Sequence, residues 1–246
     1  MRYPFVLLDA GHTLFGPRES FGAVYARVLA PMGLDRPAEV FEAGIRESWR
    51  DMDRSVPRGR DRYAFFEGGE DGYWLRFVRG AIERAAGEAV PPGLAESALG
   101  PLREAFRGPE AWHVYPDVRP ALSRIRLLGA RLGVVSNWDS RLHHLLDVLD
   151  LDDLFEVVAC SHLLGVEKPD PEIFRSALAA LGADPGLTLH VGDLPETDFD
   201  GARSAGIDGL LVDRRGCLDP ELRALPDLTQ LPRIVRDGLT PAAIRT

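Results

Sequence analysis

Short apolar runs, each broken at a polar residue and separated by stretches of helical spacing, constrain this chain most. From Tyr115 onward, Leu132-Gly133-Val134-Val135, Phe155 to Ala159, Leu187 to Val191 and Gly209 to Val212 read as strands. Helices are expected between them. Pro116-Asp117 opens one that carries Val118, Leu122, Ile125 and Leu128 and stops at Gly129. Ser140 to Leu149 forms a second. Asp170-Pro171 supplies a cap and a first-turn proline for a third, through Leu181. Asp200 to Ala205 is a short fourth, and the tail from Pro220 is expected to add one or two short packing helices. Such alternation means a parallel sheet with helices on both faces. Phe5-Val6-Leu7-Leu8 has the same four-residue apolar run and belongs to that sheet.

The stretch between carries no strand pattern. Phe21, Val24, Tyr25, Val28 and Leu29 repeat at helical spacing up to Gly33, and Val40, Phe41, Ile45, Trp49 and Met52 mark a second helix. Arg54 to Gly72, rich in Arg, Gly and Pro, reads as a loop. Trp74, Phe77, Val78, Ala81, Ile82 and Ala85 form a third apolar stripe, Gly87 to Gly93 a connection, and Leu94, Ala98, Leu99, Leu102 and Phe106 a fourth. The expected architecture is α/β: a Rossmann-like, doubly wound parallel sheet from residues 1–15 and 113–246, with an α-helical bundle inserted at 16–112.

Composition excludes several function classes. The net charge is −9 and no basic stripe stands out, so a nucleic-acid backbone is not the expected partner. Asp9 interrupts the only apolar N-terminal run, which leaves neither a signal peptide nor a membrane span, and the expected location is the cytoplasm. Cys160 and Cys217 lack metal-ligand spacing and suit a reducing compartment. The chain holds 28 arginines but a single lysine, Lys168. A lone lysine among so many arginines points to a place where a compact ammonium is needed and a guanidinium will not serve.

Polar groups cluster at the strand ends. The first strand stops at Asp9, followed by Ala10-Gly11-His12-Thr13. That sequence suits a helix cap or a turn as well as a reactive carboxylate beyond a strand's carboxyl end. Val134-Val135 ends in Ser136-Asn137. Val191 ends in Gly192-Asp193, with Asp198 five residues on, and the strand around Val157 leads to Glu167-Lys168-Pro169. Together they bring carboxylates, a hydroxyl and an ammonium to one edge of one sheet. That is the equipment for a magnesium-assisted phosphate site: oxygen ligands for the metal, and a hydroxyl and a compact cation for phosphate oxygens.

The order Asp9 … Thr13, Ser136, Lys168-Pro169, Gly192-Asp193 … Asp198-Phe199-Asp200-Gly201-Ala202 resembles the four motifs of the haloacid dehalogenase-like hydrolase superfamily. The helical insertion resembles that superfamily's cap of the first type. Trp112 to Asp139 and Lys168 to Phe174 are similar to its group of domain-containing protein 3 sequences. The resemblance implies that Asp9 is a nucleophile that takes up a phosphoryl group. It implies that Thr13, Ser136, Asn137 and Lys168 bind substrate, that Asp9, Asp193 and the Gly11 carbonyl bind Mg2+, and that Asp198 supports Asp193 or Lys168 from behind.

One position departs. Phosphatases of this superfamily carry a second aspartate two residues after the nucleophile, where this chain has Gly11, and His12 stands where glycine is usual. Loss of that acid–base group implies weakened hydrolysis of poor leaving groups, by about 10²–10⁴-fold. Activity restored by Gly11→Asp would point to the missing acid as the cause, and an inert Gly11→Asp protein would count against it. His12 is expected to fill a turn and point away from the substrate. The expected function is a Mg2+-dependent phosphatase acting on a small phosphorylated metabolite, as a monomer or homodimer. Two other readings stand beside it: a 2-haloacid dehalogenase, for which Gly11 would be harmless, and an inactive protein that binds a phospho-ligand or a partner. Arg58, Arg60, Asp61 and Arg62 in the helical insertion are expected to form a solvated charge cluster.

Overall fold

The structure, a computed structural model, describes residues 1–87, 90–222 and 224–239. Its strands in chain order are β1 (Phe5–Leu8), β2 (Phe15–Pro17), β3 (Trp112–Val114), β4 (Arg131–Ser136), β5 (Val157–Cys160), β6 (Thr188–Gly192), β7 (Asp208–Val212) and β8 (Ala224–Leu225). Six of them form one sheet in the order β5-β4-β1-β6-β7-β8, and every pairing is parallel. β1 lies in the middle, with Leu8 opposite both Val134 and Val191. The residues that follow β1, β4 and β6 therefore leave the sheet at the same edge, side by side.

The chain divides into two compact units, Met1–Gly16 with Val114–Thr246, and Pro17–His113. The second unit holds α1 (Phe21–Leu29), α2 (Ala38–Ser55), α3 (Arg62–Phe65), α4 (Gly69–Ala86) and α5 (Leu94–Ala105). Ser20 caps α1 through the amide of Ala23, and Gly33 turns the chain with φ +90°. Tyr25, Phe41, Ile45, Phe77, Ile82 and Leu102 form its core, the apolar stripes that the spacing marks out. Trp49 and Trp74 pack within this unit, 5.9 Å apart edge to face.

Here the expected loop over Arg54 to Gly72 is corrected. It contains α3 and the start of α4. Asp61 is buried rather than solvated: its carboxylate caps α3, accepting from the amides of Tyr63 (3.3 Å) and Ala64 (3.1 Å). Tyr63 then inserts beside Tyr73, ring centroids 4.9 Å apart. A one-turn helix held by a cap and one aromatic carries too little periodicity to read from sequence.

In the first unit follow α6 (Val118–Leu127), α7 (Leu142–Val148), α8 (Ser161–Leu164), α9 (Pro171–Leu181), α10 (Gly201–Ser204) and α11 (Leu231–Asp237). Asp170 caps α9 through the amide of Glu172, as its sequence predicts. Ile173, Phe174 and Leu181 of α9 pack on Leu7, Val135 and Ala159 of the sheet. Val6 and Leu8 point to the opposite face and are equally buried, so the sheet is covered on both sides. The tail departs from expectation. β7 is not the last strand, because Ala224–Leu225 adds β8 at its edge before α11. Two residues cannot display an alternation. No helix among the described residues is long and apolar enough to cross a membrane.

Candidate active site

Asp9 sits one residue past β1, and its amide still donates to Val191 (2.9 Å), which fixes the backbone against β6. The following turn closes on itself: Leu14 N donates to Ala10 O (2.8 Å) and His12 N to Phe15 O (2.8 Å). Arg214, in the loop after β7, donates to the Thr13 carbonyl through Nε (3.0 Å) and Nη2 (2.8 Å). The same guanidinium pairs with Asp117 and lies 4.0 Å from the centroid of the Tyr115 ring. A rigid turn thus presents Asp9 at the centre of the sheet edge.

Ser136, at the end of β4, donates to Asp9 Oδ1 (2.9 Å), and Lys168 Nζ donates to the same oxygen (2.6 Å). Among the described residues Oδ2 takes no such donor. Lys168 Nζ also donates to Asp198 Oδ1 (2.5 Å). The single lysine of the chain is only 3% exposed and bridges two carboxylates. Its main chain is held by Asn137: Asn137 Nδ2 donates to Lys168 O (2.9 Å), and Lys168 N donates to Asn137 Oδ1 (2.7 Å). The Asn137 side chain is thereby committed to positioning Lys168, which leaves its main chain as its contribution toward a ligand.

Asp193 follows β6 directly, and its carboxylate also meets Arg215 Nη2 at 3.1 Å. Asp198 comes from a π-helical turn, Pro195–Asp200, a form that tends to occur at functional sites. It accepts from Leu194 N (2.9 Å) as well as from Lys168. Gly192 permits that approach: a Cβ there would lie 2.2 Å from the Asp198 carboxyl carbon. Oxygens of Asp9, Asp193 and Asp198 all lie within 4.8 Å of one another.

His190 is a site residue that the sequence does not reveal. It lies inside β6, fully buried, with Nε2 3.2 Å from Asp198 Oδ1 and its ring edge-on to Phe174. Burial lowers its pKa, so the imidazole is neutral at neutral pH. The acceptor-only carboxylate then assigns the proton to Nε2, and among the described residues Nδ1 has no partner. Every residue of β6 is buried, and nothing in its sequence signals that one of them is polar for a reason.

The charges sort themselves by position. Burial raises the Asp9 carboxyl above its ordinary range; Lys168 pulls it back and Asp198 pushes it up again. Burial, then the charges of Asp9 and Asp198, push Asp193 up to about 7. For Asp198 burial opposes ionisation, yet Lys168 and His190 hold its carboxyl well below the usual range. Lys168 mirrors it: burial works against its charge, while Asp198 and Asp9 hold it firmly protonated. Lys168 bridges Asp9 and Asp198, while among the described residues Asp193 meets only the half-exposed Arg215, so buried carboxylates outnumber buried cations, an imbalance that a bound cation would relieve.

Among the described residues, the buried Thr13 Oγ1 has no partner, which leaves it a donor for a ligand atom. Gly11 and His12 occupy the turn. His12 adopts φ +56°, the left-handed region in which glycine is at ease, and burial followed by Arg215 lowers its imidazole to about 4.

Comparison with known proteins shows the family. A family model described as haloacid dehalogenase-like hydrolase matches residues 19–206. The chain belongs to the haloacid dehalogenase-like hydrolase family. Human haloacid dehalogenase-like hydrolase domain-containing protein 3 is 33% identical over 239 residues, covering 95% of this chain and 91% of that protein. Phosphoserine phosphatase from Thermus thermophilus is 31% identical over 238 residues, with 91% and 93% covered. Among solved structures, a haloacid dehalogenase-like phosphatase from Thermococcus onnurineus superposes with a TM-score of 0.64 at 23% identity, covering 94% of this chain and 96% of that one, which speaks for a common fold. Within this hydrolase family, then, the chain has phosphatases among its relatives.

Proposed function

We propose that this hydrolase is a divalent-metal-dependent phosphatase that acts on a small phosphorylated molecule through a phosphorylated Asp9. The observation that carries the reading is the meeting of Asp9, Asp193 and the chain's one ammonium at a single sheet edge. The donor set is all oxygen and has more buried negative charge than positive, which fits a hard cation such as Mg2+. Asp9, Asp193 and the Gly11 carbonyl would hold it, and when bound it draws charge off the phosphoryl oxygens.

The chain's own groups do the rest. Asp9 Oδ2, the oxygen without a hydrogen bond, forms the new bond to phosphorus while the bond to the leaving oxygen breaks. Ser136 and Lys168 fix the carboxylate through Oδ1 and meet the charge that gathers on the phosphoryl group. Thr13 Oγ1, buried and unpartnered, is a further donor for a phosphoryl oxygen. Water then attacks the phosphorus of the acyl phosphate, releasing phosphate and the Asp9 carboxylate. Gly11 brings no side chain for proton transfer in either step. The phosphatase among the relatives supports phosphate as the group transferred.

Release of phosphate from acetyl phosphate and p-nitrophenyl phosphate, with and without Mg2+, tests the reading. Turnover should need Mg2+ and disappear in Asp9→Asn. Metal-independent chloride release from 2-chloropropionate would turn the assignment to a dehalogenase. Magnesium-dependent binding of phosphate with no turnover would turn it to a ligand-binding protein.

A further inference from the structure

The ends of β1 and β4 lie side by side, and this brings Trp138 against the turn that carries Asp9. A Cβ built on Gly11 would stand 2.8 Å from Cζ3 of the indole, with Cη2 at 3.6 Å and Cε3 at 3.8 Å. The ring edge therefore fills the space into which any side chain at residue 11 must grow. Trp138 is held there from several directions. Its amide donates to Ser161 Oγ (3.1 Å), and its carbonyl accepts from His162 N (3.3 Å) and Cys160 Sγ (3.2 Å). Its ring packs edge-on to Phe15 at 5.5 Å. The main-chain bonds fix where the residue leaves β4, and the contact with Phe15 sets the ring against the turn, so a side chain at residue 11 has to displace the indole from that packing.

We propose that Trp138 fixes residue 11 of the Asp9 site as a glycine: its indole forms an apolar wall beside the nucleophile's turn and leaves no room there for a proton donor. The substrate class follows, on the phosphatase reading above. The Asp9–phosphorus bond forms as the bond to the leaving oxygen breaks, and the electron pair departs on that oxygen with no proton delivered from position 11. The site therefore serves phosphates whose leaving group is stable as an anion, a carboxylate or an acidic phenolate, and serves alkyl esters poorly. It also follows that the glycine and the tryptophan act as a pair. An aspartate at residue 11 cannot restore proton transfer while the indole stands.

The test compares wild type, Gly11→Asp, Trp138→Ala and the double variant on acetyl phosphate and a series of substituted phenyl phosphates, with melting temperatures for each. Wild type should cleave p-nitrophenyl phosphate about 10²-fold or more faster than phenyl phosphate, the scale of missing general-acid help. Acetyl phosphate turnover tells an acyl from an aryl preference. Gly11→Asp should melt lower than wild type or fail to fold, and Trp138→Ala should rescue it. Only the double variant should narrow the gap, by at least about tenfold. A stable Gly11→Asp that narrows the gap by itself, or Trp138→Ala that narrows it without an acid, overturns the proposal. So does a double variant, folded and active, with the gap unchanged. A flat leaving-group series in an active wild type overturns this inference and leaves the phosphatase reading standing; a folded wild type that turns over none of the substrates overturns both.

Discussion

Replacing Lys168 by methionine isolates the charge balance on which the site rests. Methionine keeps a long apolar stem in a position that is 3% exposed, so the change is chiefly electrostatic. It removes the ammonium 2.6 Å from Asp9 and 2.5 Å from Asp198 and leaves two buried carboxylates uncompensated. Breaking a buried pair from one side costs about 3–5 kcal/mol. At about 2–4 °C per kcal/mol for a chain of this size, melting should fall by about 6–20 °C. The assay is thermal unfolding by circular dichroism in a chelator, so that no cation substitutes for the lost charge. Its pH dependence fixes the cause. Asp198 titrates below its unfolded value in the native protein, because burial is outweighed by Lys168 and His190. Its contribution is thus complete above about pH 4 and disappears as pH falls through the folded value. In the variant both carboxyls titrate above their unfolded values, so that protein gains stability on acidification from neutral pH. The difference between the two proteins should be widest at neutral pH and close toward about pH 3. A variant that melts within about 2 °C of wild type at neutral pH, or a difference that widens in acid, would refute the reasoning.

Magnesium should raise the melting point of the wild type, by the equivalent of about 2.7 kcal/mol at a hundredfold excess over Kd, and should do nothing for Asp193→Asn. Because Asp193 titrates at about 7, protons compete with the metal and the stabilisation should shrink as the pH drops through that value, which scanning fluorimetry in a magnesium series would read. Arg214→Ala should lose about 3 kcal/mol in urea denaturation, since it breaks the guanidinium's hold on both Asp117 and the Thr13 carbonyl. Burial is outweighed by Arg214 and the Leu228 amide in holding Asp117 below its ordinary value, so this loss should be full above about pH 4 and fade in acid. Gly44→Leu should destabilise by about 1–3 kcal/mol in the same measurement, because even a Cβ at residue 44 lies 2.7 Å from the Ala81 carbonyl where α2 passes α4.

Much of the site is legible in the chain because parallel strands end where their apolar runs end. Asp9, Ser136 and Asp193 each stand within a residue or two of such a stop, and Lys168 is conspicuous as the sole lysine. What the chain hides is whatever depends on direction or on a distant neighbour. His190 is masked inside a buried strand, and its meaning appears only with Asp198 3.2 Å away. Asp61 reads as one more surface charge until its carboxylate is seen capping α3. β8 and the π-helical turn are too short or too irregular to leave a period. Trp138 looks like an aromatic residue in a turn, and nothing in one dimension says that its ring abuts Gly11.

By itself, the sequence determined the parallel sheet, the helical insertion and the set of polar residues at the strand ends, because each follows from local spacing of apolar side chains and from what interrupts it. Only the tertiary structure decided which oxygen of Asp9 is tied down, that Lys168 bridges Asp9 and Asp198, and that an indole lies in the space beside Gly11. These depend on strands 120 or more residues apart in the chain meeting in register, β1 with β4 and with β6. Distances of that kind are set by packing and register, which no local pattern encodes.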